Sequence, residues 1–349
     1  MPDTSAPQLP GALADEITAV VRDATGLPVS LLRASPLAGG ASMETWSLDL
    51  QVGDDDEALV LRRDMGANMY LEALSRAQEF SVLQAAAAQG VRAPRPRWLH
   101  APAGGRHWFL MDRHEGEGVG RRVVKLPALA TARAGLAAEM GEQLARIHRI
   151  PTADLTAVLP GPGARTPAAH ALAQTRDAIA TLPVRDPVWT YALRWLAARE
   201  PAPPTSLTVV HGDFRVGNLL VAPDGLRAVL DWEFAHLGDP HEDLGWTMVR
   251  DWRFEQDALR VGGVGHPEDL SAGYRDAGGG AVDPSAVAWW EVCGNLRWSV
   301  ICHTQAARHL SGTDPSVERG RRHCFGASFA GSLAGAFAVP PPLAGCRSL

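Results

Sequence analysis

Residues 211–218 read HGDFRVGN, and DWE follows at residues 231–233. Two short apolar runs lie between them and flank the turn APDG at residues 222–225, a pattern typical of a β-hairpin. Such a hairpin would bring Asp231 back beside the loop that carries Asp213. Asp231 also ends an apolar strand that we expect to be buried, where an unpaired charge is unfavourable. The sequence therefore predicts that two acids meet at one polar site.

The spacing of these polar residues suits phosphoryl transfer. That reaction needs a carboxylate to orient and deprotonate the attacking hydroxyl, and oxygen ligands for a Mg²⁺ ion on the phosphates of ATP. In the pattern HxDxxxxN a loop displays Asp213, and the side-chain oxygen of Asn218 follows five residues later. An Asp ahead of an Asn can also be a turn device. The motifs arrive in the order that the mechanism requires, so we predict a phosphotransferase that uses ATP and Mg²⁺.

These motifs resemble those of the aminoglycoside phosphotransferase and choline kinase superfamily, which is related to the protein kinases. The resemblance covers residues 31–310 and is carried by HGDxxxxN and LDWE. It implies that Asp213 is the catalytic base of a small-molecule kinase and that His211 braces its loop. Asn218 and Asp231 would be the Mg²⁺ ligands. In detail the chain is most similar to a bacterial branch related to the kinase-like domains of acyl-CoA dehydrogenase fusions.

The resemblance implies an α+β, two-lobed protein-kinase-like fold, with an N-lobe of antiparallel sheet plus helix and a mainly helical C-lobe with a catalytic hairpin. We place the lobes at residues 1–113 and 114–324, and we expect a poorly ordered Gly/Ala/Pro-rich tail at residues 325–349. Helices are predicted at residues 13–24, 71–89, 136–150, 168–181, 187–199 and 285–310. Strands are predicted at residues 30–37, 43–52, 58–62, 107–111, 207–210, 218–221 and 226–230.

The first half of the chain offers groups for a nucleotide between the lobes. A turn between the first two strands should lie over the phosphates, and Gly39, Gly40 and Ser42 occupy it. Backbone N–H groups at such a turn can approach phosphate oxygens, although an ordinary hairpin turn has the same composition. Strand alternation puts Val60 and Arg62 on one face. Val60 could then cover the adenine, and Arg62 could reach the α- and β-phosphates.

The cation of the third strand needs an acid to hold it. Glu79 in the next helix fits that place, and it would equally fit a solvated helix face. The wider superfamily usually has lysine where this chain has Arg62, and a planar guanidinium could alter the phosphate geometry or lower activity. The adenine should lie against the segment between the lobes, where backbone groups of Met111, Asp112 and Arg113 would read its edge.

Composition argues against several other classes of protein. The chain has 349 residues, of which 46% are hydrophobic and 21% charged, as in an ordinary soluble globular protein. A net charge of −6 does not favour nucleic-acid binding, because that needs Lys and Arg at phosphates. The four cysteines form no CxxC pair and the first residues lack a signal-peptide pattern, so we predict a cytoplasmic protein. No apolar run approaches the ~18 residues of a membrane span, and the oligomeric state is left open.

The acceptor is also left open. Acids and tryptophans in the C-terminal half could hold a cationic aminoglycoside or choline-like amine by charge and cation–π attraction. Tryptophans at helical spacing are more often core, and Arg250, Arg253 and Arg297 would suit an anion. The resemblance implies a hydroxylated acyl metabolite as a third class. The acids are Glu233, Asp239, Glu242, Asp243 and Asp251, and the tryptophans are Trp246, Trp252, Trp289, Trp290 and Trp298.

Two other functions were compared with a small-molecule kinase. A pseudokinase that binds nucleotide and acts as an interaction module is the alternative, and Arg62 is its only support. A protein-Ser/Thr kinase is less favoured, because the sequence has no DFG followed by an APE-like segment. A zinc enzyme is not expected either, because the histidines show no HExxH spacing.

Overall fold

The N-terminal part of the protein is a five-stranded antiparallel sheet with two helices. The computed structural model describes residues 8–37, 43–64 and 73–310. The strands are β1 (Val29–Pro36), β2 (Met43–Val52), β3 (Asp55–Asp64), β4 (Pro96–His100) and β5 (Trp108–Asp112). They lie side by side in the order β1-β2-β3-β5-β4. The helices are α1 (Gly11–Thr25) and α2 (Arg76–Ala88).

Side-chain alternation along β3 divides the sheet between two cores. Leu59 and Leu61 are fully buried in a core that includes residues of α1. Val60 lies on the opposite face, in a core shared by α2 and the second lobe. Because successive side chains of a strand point to opposite faces, Arg62 shares the face of Val60. The structure therefore has both residues on one face, as the alternation predicts.

The second lobe is mainly helical and contains two small antiparallel pairs of strands. Its helices are α3 (Gly120–Lys125), α4 (Ala130–His148), α5 (Pro167–Thr181), α6 (Pro187–Ala197), α7 (Pro240–Trp246), α8 (Pro267–Asp276) and α9 (Pro284–Leu310). Its strands are β6 (Thr208–Val210), β7 (Leu219–Ala222), β8 (Gly225–Val229) and β9 (His236–Gly238). Strand β6 pairs with β9, and β7 pairs with β8 in the predicted hairpin. Of the helices in the described residues, none combines the length and the apolar character that a membrane span requires.

The predicted α+β architecture, a sheet lobe followed by a mainly helical lobe with a hairpin, is confirmed. The predicted ranges omit five elements, which are the strands β4 and β9 and the helices α3, α7 and α8. Prolines 94 and 96 are typical of a break in regular structure, but Pro96 begins an edge strand, where its missing N–H group is tolerated. Helix α2 begins later than predicted, because Ser75 caps it in a capping box with Gln78.

Three predictions concern residues that lie partly or wholly outside the described ranges. The turn with Gly39, Gly40 and Ser42 lies outside the described residues, as does the tail at residues 325–349. The end of the second lobe at residue 324 also lies beyond the last described residue, 310. The lobe boundary after residue 113 stays a prediction.

Helices α4 and α8 approach each other so closely that glycine is needed at their contact. A Cβ atom on Gly141 would lie 2.1 Å from the carbonyl oxygen of Leu270. A Cβ atom on Gly273 would lie 2.0 Å from the carbonyl oxygen of Ala138. This contact brings the C-terminal end of α4 beside α8, and both helices contribute to the polar site.

We expect Gly141→Ala to lower the free energy of unfolding by about 1–3 kcal/mol, because the added methyl group forces α4 and α8 apart. Gly135→Ala in the same helix is the matched control, since the nearest atom to its Cβ is 4.0 Å away. The control should be neutral or stabilising by up to about 1 kcal/mol through helix propensity. Urea unfolding of both variants measures the difference, and equal stabilities would contradict the close packing.

Candidate active site

The carboxylate of Asp213 is held from three sides. Its loop follows β6 and runs into β7. Asn218 Nδ2 donates to Oδ2 at 2.6 Å, and Trp246 Nε1 donates to Oδ1 at 2.8 Å. Arg215 Nε lies 3.0 Å from Oδ1 and 3.2 Å from Oδ2. The side chain of Asp213 is therefore fixed in one orientation at the edge of the second lobe.

The loop itself is anchored by Asp243, a carboxylate in α7 that is 0% exposed. Its Oδ2 accepts the backbone N–H of His211 at 2.8 Å, and its Oδ1 accepts that of Gly212 at 3.0 Å. His148 Nε2 lies 3.1 Å from Oδ2, and His148 Nδ1 lies 2.9 Å from the hydroxyl of Tyr274. Burial raises the pKa of Tyr274, so its hydroxyl stays protonated and can donate a hydrogen bond to Nδ1 of His148. Three groups thus contact the buried carboxylate, two backbone N–H groups of the loop and the imidazole of His148.

His211 connects the loop to the end of the hairpin. Its Nδ1 accepts the backbone N–H of Asp213 at 3.3 Å, so Nε2 carries the proton and donates to the carbonyl of Leu230 at 3.1 Å. Burial lowers the pKa of His211, which favours this neutral form. Gly212 has a φ of 79°, and a Cβ there would lie 2.4 Å from the carbonyl oxygen of Phe234. Only glycine suits this position of the turn.

Asn218 and Asp231 occupy neighbouring positions at the end of the hairpin, since Leu230 N–H donates to the carbonyl of Asn218 at 2.8 Å. Asp231 has a φ of 68°, a left-handed conformation that is uncommon outside glycine, and its side chain is 35% exposed. The nitrogen of the Asn218 amide donates to Asp213, so its oxygen is the atom that a metal could use. Backbone strain of this kind concentrates at functional sites.

This donor set fits Mg²⁺. An amide oxygen and a carboxylate are hard ligands, and Mg²⁺ commonly binds one or two such groups together with substrate phosphates and water. Among the described residues there is no cluster of three or more His, Cys, Asp or Glu side chains that could hold a metal. A two-ligand site at Asn218 and Asp231 that is completed by phosphates agrees with this pattern.

Arg62 of β3 bridges the two lobes. Its Nε lies 2.9 Å from Oε1 of Glu79, and its Nη2 lies 3.1 Å from Oδ1 of Asp231. Glu79 is 1% exposed and also pairs with Arg76. Burial, followed by the nearby Arg62, lowers the pKa of Arg76 to about 10. The acid expected to hold Arg62 is thus present, and Arg62 itself contacts one of the two candidate metal ligands.

The predicted adenine-contacting residues divide into two groups. Val60 and Met111 are cross-strand partners, each 8% exposed, on the sheet face toward the second lobe. The backbone N–H groups of Asp112 and Arg113 already donate to carbonyls at 2.9 and 3.0 Å, and the Arg113 side chain pairs with Asp49 at 2.7 Å. An adenine edge bound by this segment would therefore need its carbonyl groups or residues after Arg113.

The structure brings to the site Arg215, for which the sequence predicted no role, and Asp243 and Trp246, which it offered only as possible acceptor contacts. Arg215 and Trp246 contact Asp213, and Asp243 anchors its loop. The sequence gives only weak indications of these roles. Arg215 lies inside the motif, and Asp243 is a charged residue in the first turn of a buried helix. Trp289 and Trp290 are 2% exposed and belong to the core, as the more conservative interpretation of the tryptophans predicts.

Known structures share this fold. A putative aminoglycoside phosphotransferase from Ralstonia eutropha superposes with a TM-score of 0.72 at 19% identity, covering 93% of this chain and 97% of the other. A thermostable mutant of aminoglycoside phosphotransferase APH(4)-Ia, in a ternary complex with AMP-PNP and hygromycin B, has a TM-score of 0.61 at 16% identity, with coverages of 93% and 100%. The two-lobed, kinase-like α+β fold expected from the sequence is thereby confirmed.

Comparison with known sequences identifies the family of this chain. Acyl-CoA dehydrogenase family member 10 from Mus musculus is 30% identical over 202 residues, which agrees with the resemblance to the kinase-like parts of such fusions. That match covers 56% of this chain but only 18% of the mouse protein, so the chain corresponds to a fraction of that relative. The model of the phosphotransferase enzyme family matches residues 33–289, a range that includes every site residue described above. The chain belongs to the phosphotransferase enzyme family.

Proposed function

We propose that the protein transfers the γ-phosphoryl group of ATP to a hydroxyl group of a small molecule, with Mg²⁺ held by Asn218 and Asp231. The observation that carries this proposal is the convergence of a clamped carboxylate, two hard oxygen ligands and an interlobe cation on one cleft. The AMP-PNP in the complex of a structural neighbour supports a nucleotide as one substrate. Its hygromycin B supports a small-molecule acceptor.

Each residue has a defined task in this proposal. Asp213 accepts the hydrogen bond of the acceptor hydroxyl and takes its proton as the new oxygen–phosphorus bond forms. Arg62, oriented by Glu79, binds the α- and β-phosphates. His211 and Asp243 hold the loop and so fix the position of the base. Mg²⁺, when bound, neutralises charge on the phosphate oxygens.

The alternative is a nucleotide-binding module without activity, and it rests on arginine at the usual lysine position. The 2.9 Å pair between Arg62 and Glu79 supports the enzyme instead, because the cation is held by a buried acid as the reaction requires. Guanidinium also binds phosphate oxygens in a bidentate manner.

A direct test incubates the protein with ATP, Mg²⁺ and hydroxyl compounds of three classes: aminoglycosides, choline-like amines and hydroxyacyl metabolites. Phosphorus NMR detects a new phosphate ester. We expect one class to give product, and product formation should stop when the metal is chelated. ATP binding without ester formation or hydrolysis would support the interaction module.

We also propose a cytosolic location and no membrane or nucleic-acid partner. The location is supported by Cys293, which is buried and forms no disulfide, as expected in a reducing compartment.

Asp213→Asn should lower the rate of transfer by about 10²–10⁴-fold, because the amide cannot accept the hydroxyl proton. ATP affinity should stay within about twofold, since Asp213 is not among the proposed nucleotide contacts. Asp224→Asn in the exposed hairpin turn is the control and should keep full activity. Strong transfer by the Asp213 variant would remove this residue from the role of base.

Asp231→Asn should weaken binding of Mg²⁺-ATP by about tenfold or more, because a carboxylate ligand is lost. Asparagine tolerates the left-handed backbone at this position, so it is a cleaner change than alanine. Affinity for metal-free ATP should not fall, because Arg62 loses its partner and becomes available to phosphates. Equilibrium dialysis with and without Mg²⁺ measures both values. Equal affinities of the variant and the wild type for Mg²⁺-ATP would mean that the metal site lies elsewhere.

A further inference from the structure

The two carboxylate oxygens of Asp213 make four hydrogen-bond contacts, about as many as an ionised carboxylate accepts. Oδ1 faces Trp246 Nε1 and Arg215 Nε, and Oδ2 faces Asn218 Nδ2 and the same Arg215 Nε. An acceptor hydroxyl that is to give its proton to Asp213 must take one of these positions. One of the donors must therefore leave the base for the reaction to proceed.

Of the three donors to Asp213, Arg215 can leave the carboxylate at the smallest cost in free energy. Trp246 and Asn218 are only 5% and 6% exposed, and a buried donor that loses its partner bears the full desolvation penalty. The side chain of Arg215 is 25% exposed, so its guanidinium can exchange the carboxylate for solvent or for another anion. The arrangement thus singles out Arg215 as the exchangeable contact.

The Arg215 guanidinium lies beside Asp213 in a position formed by the ring of Trp252 and the space above Gly217, which we call its seat. Its Cζ lies 4.8 Å from the ring centroid of Trp252, a cation–π contact. Trp252 is supported by Trp298, with ring centroids 4.6 Å apart. A Cβ on Gly217 would lie 2.3 Å from Nη1 of Arg215, whereas the φ of Gly217 is not positive. A Cβ at this position would therefore displace the guanidinium without straining the backbone.

We propose that Arg215 is a mobile catalytic cation, which contacts Asp213 before ATP binds and the γ-phosphoryl group during transfer. This rests on the proposed function, since it presumes transfer from ATP. The attacking oxygen must hydrogen-bond to Asp213 and lie about 3–3.5 Å from phosphorus. A guanidinium already in contact with Asp213 can therefore reach the phosphoryl oxygens by rotating its side chain, and it binds such oxygens in a bidentate manner.

The reaction balances without any further reactant. The acceptor oxygen forms a bond to the γ-phosphorus, the bond from that phosphorus to the bridging oxygen breaks, and its electron pair stays on ADP. The hydroxyl proton passes to the carboxylate of Asp213 and later to solvent. Arg215 gains and loses no proton, and it stabilises the negative charge of the phosphoryl oxygens in flight.

Removing the guanidinium tests this role. Arg215→Gln should lower the rate about 100-fold, the scale for losing one donor to a transition-state anion, and Arg215→Lys should regain about tenfold of it. ATP hydrolysis serves as the assay, with water in place of the unidentified hydroxyl. Arg227→Gln, an exposed arginine of the hairpin that pairs with Asp224, is the matched control and should hydrolyse ATP like the wild type.

A binding measurement supplies a readout apart from activity. Mg²⁺-ADP with aluminium fluoride mimics the phosphoryl group during transfer. Arg215→Gln should weaken binding of this analogue about 100-fold while affinity for Mg²⁺-ADP alone changes less than about twofold. Equal losses for the two ligands, or no loss, would contradict a contact made during transfer.

Gly217→Ala separates a mobile cation from a fixed brace. The added methyl group pushes the guanidinium off its seat without removing it. A cation that acts on the phosphoryl group should then keep analogue affinity within about threefold of the wild type. If Arg215 acts only by bracing Asp213 from this seat, Gly217→Ala and Arg215→Gln will reduce the rate of ATP hydrolysis and the affinity for the analogue to the same extent.

The failure of this inference and that of the proposed function are distinguishable. A wild type that neither hydrolyses ATP nor binds the aluminium fluoride analogue would overturn both. A wild type that does both, matched by Arg215→Gln, would overturn the role of Arg215 alone.

Discussion

The buried carboxylate of Asp243 is the interaction on which the rest of the site depends. Both of its oxygens accept backbone N–H groups from the start of the catalytic loop, so they fix the direction in which Asp213 projects. A charge at this depth persists only with such donors; His148 is a further contact of the carboxylate, and Tyr274 contacts the other nitrogen of His148. Those two residues stand on α4 and α8, whose contact requires glycine. The packing of α4 against α8 is therefore connected to the Asp213 loop by a chain of short polar contacts.

Asp231 and Asp213 each form an ion pair with an arginine. Asp231 pairs with Arg62 across the lobes, and Asp213 pairs with Arg215 on its own loop. In the proposed reaction Asp231 would help to hold the metal instead of Arg62, and both arginines would be available to phosphate oxygens. Each acid would then have a cationic partner both before and after the nucleotide binds.

Local spacing accounts for what could be predicted from the sequence. Asp213 and Asn218 share one loop, and the hairpin brings Asp231 to them through a register that turn chemistry indicates. Strand alternation likewise places Arg62. Asp243 could not be assigned, because its partners lie about thirty residues upstream and the contact depends on how helices pack. The edge strand at Pro96 was missed because proline signals a break unless the sheet order is known.

The central claim is that this cleft binds ATP through a metal held by Asn218 and Asp231. Calorimetric titration of ATP into the wild-type protein, with Mg²⁺ and then with a chelator, tests it most directly. The account predicts binding that tightens markedly with Mg²⁺, because both oxygen ligands act on the phosphates through the ion. An absence of ATP binding under both conditions would contradict it.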